Sequence, residues 1–112
     1  MFAVQELSTA VQHKIGVVTL LFNNHAYGNV LRDQQRLFAG RTLGAELVNP
    51  DFLKLAEAFG AGGARVRTPG QLRPALERAL AGGGPWLIEI PVERGSEANP
   101  WRYIHPPRPS GA

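Results

Sequence analysis

The sequence predicts an α/β fold in which a parallel sheet is flanked by helices. Short apolar, β-branched runs alternate along the chain with segments that repeat apolar residues at helical spacing. The run Ile15–Phe22 is apolar on both of its faces, which is typical of a strand in the middle of a parallel sheet covered by helices. We therefore expect a sheet with neighbours on both sides of this strand and helices on both of its faces.

The first half of the chain predicts two helices around the apolar strand. Apolar residues recur at helical spacing in residues 2–12, from Phe2 to Gln12, and again in residues 27–38. The second of these helices is the more polar, and it follows a short polar segment that comes directly after the strand. Residues 40–50 show no such periodicity, and we expect them to form an extended loop.

The second half predicts two helices and two strands. A helix begins near Asn49-Pro50-Asp51 and runs through Phe59, because Asn and Asp are favoured caps. A short strand is expected at Ala64–Arg67. Thr68-Pro69 is expected to cap a further helix that runs through Leu80, in which Leu72, Leu76 and Leu80 recur every four residues and Pro74 is tolerated near the first turn.

Glycines at positions 82–84 end this helix, and Trp86–Val92 is expected to be the last strand. Residues 1–92 should therefore form one α/β unit. Residues 93–112 are rich in proline and are expected to form an irregular tail.

Composition excludes several classes of function. The 112 residues include no Cys, which rules out a disulfide scaffold and thiolate chemistry and fits a cytoplasmic protein. The net charge is +3, but the Arg residues are dispersed and form no basic stripe interleaved with aromatics, so we expect no nucleic-acid partner. No apolar stretch approaches the roughly 20 residues of a membrane span, and no signal peptide is recognisable, so we expect no membrane partner.

The polar segment after the first strand is the strongest candidate for a functional site. Asn23 and Asn24 directly follow Phe22, and a helical pattern begins near Val30. In open α/β sheets, ligands bind at the carboxyl ends of strands, where loops meet helix N-termini. Side-chain amides there can offer neutral oxygens to a hard cation, and backbone N–H groups can bind a phosphate. A helix cap and turn is the alternative, since Asn favours both.

A series of motifs carries a family resemblance. The chain reads Phe22-Asn23-Asn24 with Tyr27-Gly28, then Phe38-Ala39-Gly40-Arg41, Asn49-Pro50-Asp51-Phe52 and Gly84-Pro85-Trp86-Leu87-Ile88-Glu89. In this order and at these intervals the motifs resemble the C-terminal half of the diphosphate-binding domain of thiamine-diphosphate-dependent enzymes, in the acetolactate synthase-like superfamily. The resemblance covers residues 1–92.

The resemblance implies a thiamine diphosphate cofactor, a Mg²⁺ ion and a reaction that cleaves or forms C–C bonds next to the carbonyl of a 2-oxo acid or acyl substrate. Asn24 corresponds to a metal ligand through its side-chain oxygen, and Ala26 to one through its backbone carbonyl. Positions that line the diphosphate and the reacting ring correspond to Tyr27, Gly28 and Asn29. Asn23 is expected to stabilise the turn rather than to bind the metal.

The resemblance also predicts what the chain lacks. The cofactor motif of the family begins with Gly-Asp-Gly and ends with Asn-Asn, and only the Asn-Asn end is present here. The activating glutamate of the family lies on a separate pyrimidine-binding domain. We therefore expect a part of a larger homodimeric or homotetrameric transferase or lyase, with no catalytic residue of its own and no activity alone. The alternative is a free-standing, non-catalytic α/β binding or assembly module.

Two positions bear on the subfamily. Anabolic acetolactate synthases carry Met and Trp where this chain has Asn29 and Asp33. These two differences argue against branched-chain biosynthesis, and a relative that acts on another 2-oxo acid or on an acyl-CoA compound fits the sequence as well.

Overall fold

The computed structural model describes residues 3–96 and 104, and it contains a three-stranded parallel sheet. In chain order the elements are α1 (Glu6–Gln12), β1 (Val18–Asn23), α2 (Gly28–Leu37), α3 (Phe52–Ala58), β2 (Gly62–Arg65), α4 (Pro69–Ala81) and β3 (Trp86–Pro91). The strand order is β1-β3-β2, and both pairings are parallel. The predicted class, a parallel α/β sheet with flanking helices, is confirmed.

Helices cover both faces of the sheet. Buried residues on the α4 face form a cluster of Val66, Ala75, Ala79 and Ile88. A second cluster, on the α3 face, consists of Phe52, Ala56 and Leu87. Successive residues of β3 alternate between the two clusters, as a strand buried on both faces requires. No helix in the described part of the chain is long and apolar enough to cross a membrane.

β1 has one neighbour in the described sheet. The sequence predicts neighbours on both sides of the run Ile15–Phe22, and among the described strands β1 pairs with β3 alone, so it lies at an edge of the described sheet. β3 is central in the described sheet because it pairs with both β1 and β2, and its residues 87–89 are buried. β1 begins at Val18, and the N–H of Ile15, which the sequence places in the strand, donates instead to the Ala10 carbonyl in α1 at 2.9 Å.

The start of β2 also differs from the prediction. β2 spans Gly62–Arg65, whereas the sequence predicts Ala64–Arg67. The pairing of β2 with β3 begins at Gly62, opposite Trp86, and a Cβ atom added to Gly62 would overlap the indole ring. Glycine occupies this ladder position so that the ring can lie against the backbone, and β-propensity alone does not reveal such a packing.

The helices begin where their caps allow. α3 starts after Asp51, whose carboxylate accepts from the N–H groups of Leu53 and Lys54. Partial desolvation raises the pKa of Asp51, but these hydrogen bonds and the charge of Arg65 outweigh it, so the pKa lies below its usual value. α1 has no side-chain cap and begins at Glu6; Phe2, where the sequence predicts its start, lies outside the described residues.

α4 begins at Pro69, directly after the predicted cap Thr68, which acts as the N-cap in a capping box with Gln71. Its buried stripe is centred on Ala75 and Ala79, whereas Leu80, the last of the three regularly spaced leucines, is exposed. The small side chains let the helix approach the sheet closely.

A buried polar network ties together the carboxyl ends of the three strands. The Glu89 carboxylate on β3 is only 4% exposed. It accepts from the side-chain amide of Asn23 on β1 at 2.8 Å and from Nε of Arg65 on β2 at 2.7 Å. Arg65 also pairs with Asp51 at 3.3 Å. Among the described residues, no buried side-chain polar atom lacks a partner, so the network is fully satisfied.

We expect Glu89→Ala to lower the free energy of unfolding by about 3 kcal/mol, because Asn23 and Arg65 lose a buried, charged partner. Glu77→Ala is the matched control, since Glu77 pairs with Arg73 on an exposed face of α4 and should contribute less than about 0.5 kcal/mol. Urea unfolding followed by circular dichroism measures both. Equal midpoints for the two variants would contradict the structural role of the network.

Apolar side chains remain exposed along β1. Leu20 is 40% and Phe22 is 66% exposed, beside the free edge of the strand. Since exposed apolar strand edges promote association, the chain should self-associate at micromolar concentration, and Leu20→Lys/Phe22→Lys should raise the monomeric fraction. The control is Leu37→Lys/Leu43→Lys, which adds the same charges at exposed positions away from the sheet. Sedimentation velocity that shows equal gains for the two double variants would place the association elsewhere.

Candidate functional site

The residues that the sequence singles out lie together at the carboxyl end of β1. Residues 24–27, which we call the Asn loop, connect the end of β1 to the start of α2. Gly28 and Asn29 are the first two residues of that helix. The five predicted site residues are therefore contiguous with the strand end, where an α/β sheet places its ligands.

The two asparagines shape the backbone of this loop. Oδ1 of Asn23 accepts from the His25 N–H at 3.1 Å, and Oδ1 of Asn24 accepts from the Ala26 N–H at 3.0 Å. Two successive turns of this kind bring His25 to a φ of 54°, in the left-handed region. Oδ1 of Asn23 also accepts from Nδ2 of Asn49 at 2.8 Å. Asn23 is thus a buried structural residue, in agreement with its expected role, whereas Asn24 is half-buried.

A segment of the long connection after α2 pairs with the Asn loop. Ala26 and Glu46 form an isolated antiparallel bridge. The Tyr27 N–H donates to the Ala45 carbonyl at 2.8 Å, and the Leu47 N–H donates to the His25 carbonyl at 2.9 Å. Within the described residues, the carbonyl of Ala26 itself accepts no hydrogen bond. An oxygen with unused lone pairs therefore lies next to Asn24.

Among the described residues, no side chain caps the start of α2. Tyr27 occupies the N-cap position and makes no capping hydrogen bond. The first N–H groups of a helix have no intrahelical partner, and the positive end of the helix dipole favours an anion there. The N–H groups of Gly28 and Asn29 are thus suited to an anionic group beside the Asn loop.

A cavity of about 550 Å³ borders the loop. Its lining includes Asn24, Gly28, Arg32, Glu46 and Arg94. The predicted residues Ala26, Tyr27 and Asn29 adjoin this lining in the chain without being part of it. The volume lies in the usual range of small-molecule sites.

The donor set fits a hard divalent cation but does not complete its coordination. Asn24 offers a side-chain amide oxygen and Ala26 a backbone carbonyl oxygen, and both are neutral. Mg²⁺ takes about six oxygen ligands in near-octahedral geometry. Among the described residues, no group of three or more His, Cys, Asp or Glu side chains could hold a metal ion. The remaining ligands of any Mg²⁺ would therefore come from a bound ligand, water or other protein groups.

Arg94 is the residue at this site that the sequence analysis missed. Its Nε donates to the Asn24 carbonyl at 3.2 Å and its Nη2 to the His25 carbonyl at 3.3 Å. Its Nη1 donates to Oε1 of Glu46 at 2.7 Å. Because 70 residues separate Arg94 from Asn24, no local pattern could have indicated the contact.

Comparison with known proteins places this geometry in a family. The family model described as the C-terminal TPP binding domain of thiamine pyrophosphate enzymes matches residues 1–90. The acetolactate synthase of Bacillus subtilis (strain 168) is 35% identical over 99 residues, which cover 88% of this chain and 17% of that protein. The acetolactate synthase isozyme 2 large subunit of Escherichia coli (strain K12) is 34% identical over 107 residues, covering 95% and 19%.

Solved structures show the same relationship. The benzoylformate decarboxylase from Polynucleobacter necessarius matches with a TM-score of 0.79 at 26% identity, over 88% of this chain and 19% of that one. The thiamine diphosphate-dependent 4-hydroxybenzoylformate decarboxylase of Rhodococcus jostii RHA1 matches with a TM-score of 0.77 at 33% identity, over 86% and 18%. The chain thus spans less than a fifth of each relative. It belongs to the thiamine pyrophosphate enzymes and corresponds to their C-terminal TPP-binding domain.

Proposed function

We propose that this chain supplies the diphosphate-binding part of an enzyme that uses thiamine diphosphate and Mg²⁺ to cleave or form C–C bonds next to the carbonyl of a 2-oxo acid. The observation that carries the proposal is the Asn loop, whose hydrogen bonds bring two neutral oxygens and an uncapped helix start together at one strand end. The names of the relatives, acetolactate synthase and benzoylformate decarboxylase, support this class of reaction.

Each residue has a proposed role. Asn24 binds Mg²⁺ through Oδ1, and Ala26 binds it through the carbonyl oxygen that accepts no hydrogen bond from the described residues. The positions that line the diphosphate and the reacting ring are Tyr27, Gly28 and Asn29. When bound, thiamine diphosphate supplies the electron sink for C–C chemistry, and the residues of this chain bind and orient it.

We further propose that the activity belongs to a larger assembly, a homodimer or homotetramer. Two neutral oxygens leave most of the Mg²⁺ coordination to other groups, and the described residues include no acidic cluster that could complete it. The matched relatives are several times longer than this chain. Other parts of the enzyme would supply the remaining ligand and the group that activates the cofactor.

The metal role of Asn24 is tested by titrating thiamine diphosphate, with and without saturating Mg²⁺, into the larger enzyme that contains this chain. Asn24→Ala should weaken Mg²⁺-dependent binding by roughly tenfold to a hundredfold, the effect of losing one well-placed oxygen. Asn23→Ala is the neighbouring control, and it should mainly lower the urea midpoint because its side chain is buried in the strand network. Binding that is independent of both Mg²⁺ and Asn24 would favour a non-catalytic binding module instead.

The chain alone should not turn over substrate. With thiamine diphosphate and Mg²⁺ present, we expect no release of CO₂ from benzoylformate or from a panel of aliphatic 2-oxo acids above the rate without protein, because the site is incomplete. Coupled detection of CO₂ gives the rate. Turnover that co-purifies with the verified chain would contradict the requirement for a larger assembly.

A further inference from the structure

Arg94 is held in place by a turn that follows β3 directly. The Val92 N–H donates to the Asn23 carbonyl at 3.0 Å, which continues the pairing of β3 with β1 by one step. Residues 93–96 then form a turn in which the Ser96 N–H donates to the Glu93 carbonyl at 3.2 Å. Gly95 has a φ of 83° at the third position of this turn, a conformation that favours glycine. The turn therefore brings the Arg94 side chain to the Asn loop.

The guanidinium of Arg94 joins three segments that are distant in the sequence. It donates to two successive carbonyls of the Asn loop and to the carboxylate of Glu46, which lies in the segment paired with that loop. A planar guanidinium offers five donors in a fixed arrangement, so one side chain can serve several acceptors at once. The Glu46 carboxylate balances the positive charge.

The hydrogen bonds from Arg94, together with those from the two asparagines and from residues 45–47, fix the three peptide planes between Asn24 and Tyr27. The plane between Asn24 and His25 is held by Arg94 at its oxygen and by Asn23 at its N–H. The plane between His25 and Ala26 is held by Arg94 and Leu47 at its oxygen and by Asn24 at its N–H.

In the next plane, between Ala26 and Tyr27, the N–H donates to Ala45. Only the oxygen of this plane, the Ala26 carbonyl, accepts nothing from the described residues. The carbonyl oxygens of Asn24 and His25 both accept from Arg94. The next carbonyl oxygen, that of Ala26, is left for a ligand.

We propose that Arg94 is a positioning residue for the Mg²⁺–diphosphate site: it occupies the carbonyls of Asn24 and His25 and thereby leaves the Ala26 carbonyl, oriented beside Asn24 Oδ1, as the backbone ligand. This inference rests on the proposed function of the Asn loop. It adds a residue outside the loop, from the segment after β3, to the machinery that binds the cofactor. Arg94 need not touch the metal or the cofactor to act in this way.

The first measurement is hydrogen exchange of the ligand-free full chain, resolved at the amides of Tyr27 and Leu47. Arg94→Gln should speed exchange at both amides by about tenfold, because two charge-assisted hydrogen bonds to the loop are lost. Arg94→Lys should restore part of the protection, since an ammonium cannot serve all three acceptors. Arg32→Gln is the matched control for exchange: it removes the same charge from the same cavity, but within the described part of the chain Arg32 hydrogen-bonds to Asn29 on its own helix and not to the Asn loop.

Glu46→Gln tests whether Arg94 depends on its carboxylate partner. If Arg94 and Glu46 act as one unit, the double variant Arg94→Gln/Glu46→Gln should exchange no more than about twofold faster than Arg94→Gln alone. Fully multiplicative effects would show that the two residues act independently and would overturn the positioning arrangement.

The second measurement is the Mg²⁺-dependent affinity of each variant for thiamine diphosphate in the larger enzyme that contains this chain, with Asn24→Ala as reference. Faster exchange together with affinity weakened by about tenfold in Arg94→Gln, and partly rescued in Arg94→Lys, supports the proposal. Unchanged exchange in Arg94→Gln overturns it, whatever the cofactor does. Faster exchange with unchanged affinity also overturns it if Asn24→Ala does weaken binding, and the proposed function then stands. If no variant, Asn24→Ala included, alters binding, the proposed function itself fails.

Discussion

Burying a carboxylate within a sheet costs several kcal/mol unless its oxygens receive donors. Glu89 on the central strand meets this requirement with one donor from each neighbouring strand, the amide of Asn23 and the guanidinium of Arg65. Asn23 and Arg65 are both constrained, because a rotation of either side chain away from Glu89 would leave one carboxylate oxygen without its donor. This constraint therefore sets the orientation of the last residue of β1, from which the Asn loop departs.

Asn23 and Asn24 have different surroundings, because side chains alternate between faces along a strand and its immediate continuation. Asn23 is buried, and its side chain binds Glu89, Asn49 and the backbone of His25. Asn24 is half-buried, and its side chain lines the cavity beside α2. The same residue type thus lies first inside the strand network and then at the cavity, and a shift of one residue in the pairing of β1 would exchange the two positions.

Much of this arrangement could be predicted from the sequence, because it depends on local chemistry. The helix at residues 28–37, the cap at Asp51 and the loop after the double asparagine all follow from residue types and spacing. The contributions that could not be predicted act across strands. Trp86 lies against Gly62 and requires glycine at the start of β2. Glu89 looks like any strand residue in the sequence, and its partners Asn23 and Arg65 come from the two neighbouring strands.

Arg94 lay beyond prediction for the same reason. It follows the last strand in a segment with no helical or strand pattern, and its contact with the Asn loop depends on the parallel pairing of β1 with β3. The edge position of β1 likewise depends on strand order, which apolar composition alone does not determine. Sequence patterns identify elements well, but they do not order strands or bring residues together across a sheet.

The most direct measurement of whether the Asn loop binds the cation is paramagnetic broadening by Mn²⁺, used in place of Mg²⁺, in nuclear magnetic resonance spectra of the ¹⁵N-labelled chain at concentrations below its self-association. Even weak binding broadens amides close to the ion. If Asn24 and Ala26 are ligands, the amides of residues 24–28 should broaden at the lowest Mn²⁺ concentrations, and only when thiamine diphosphate is present. Broadening that begins at exposed carboxylates such as Asp51 or Glu57, and that does not depend on thiamine diphosphate, would contradict a cation site in the Asn loop.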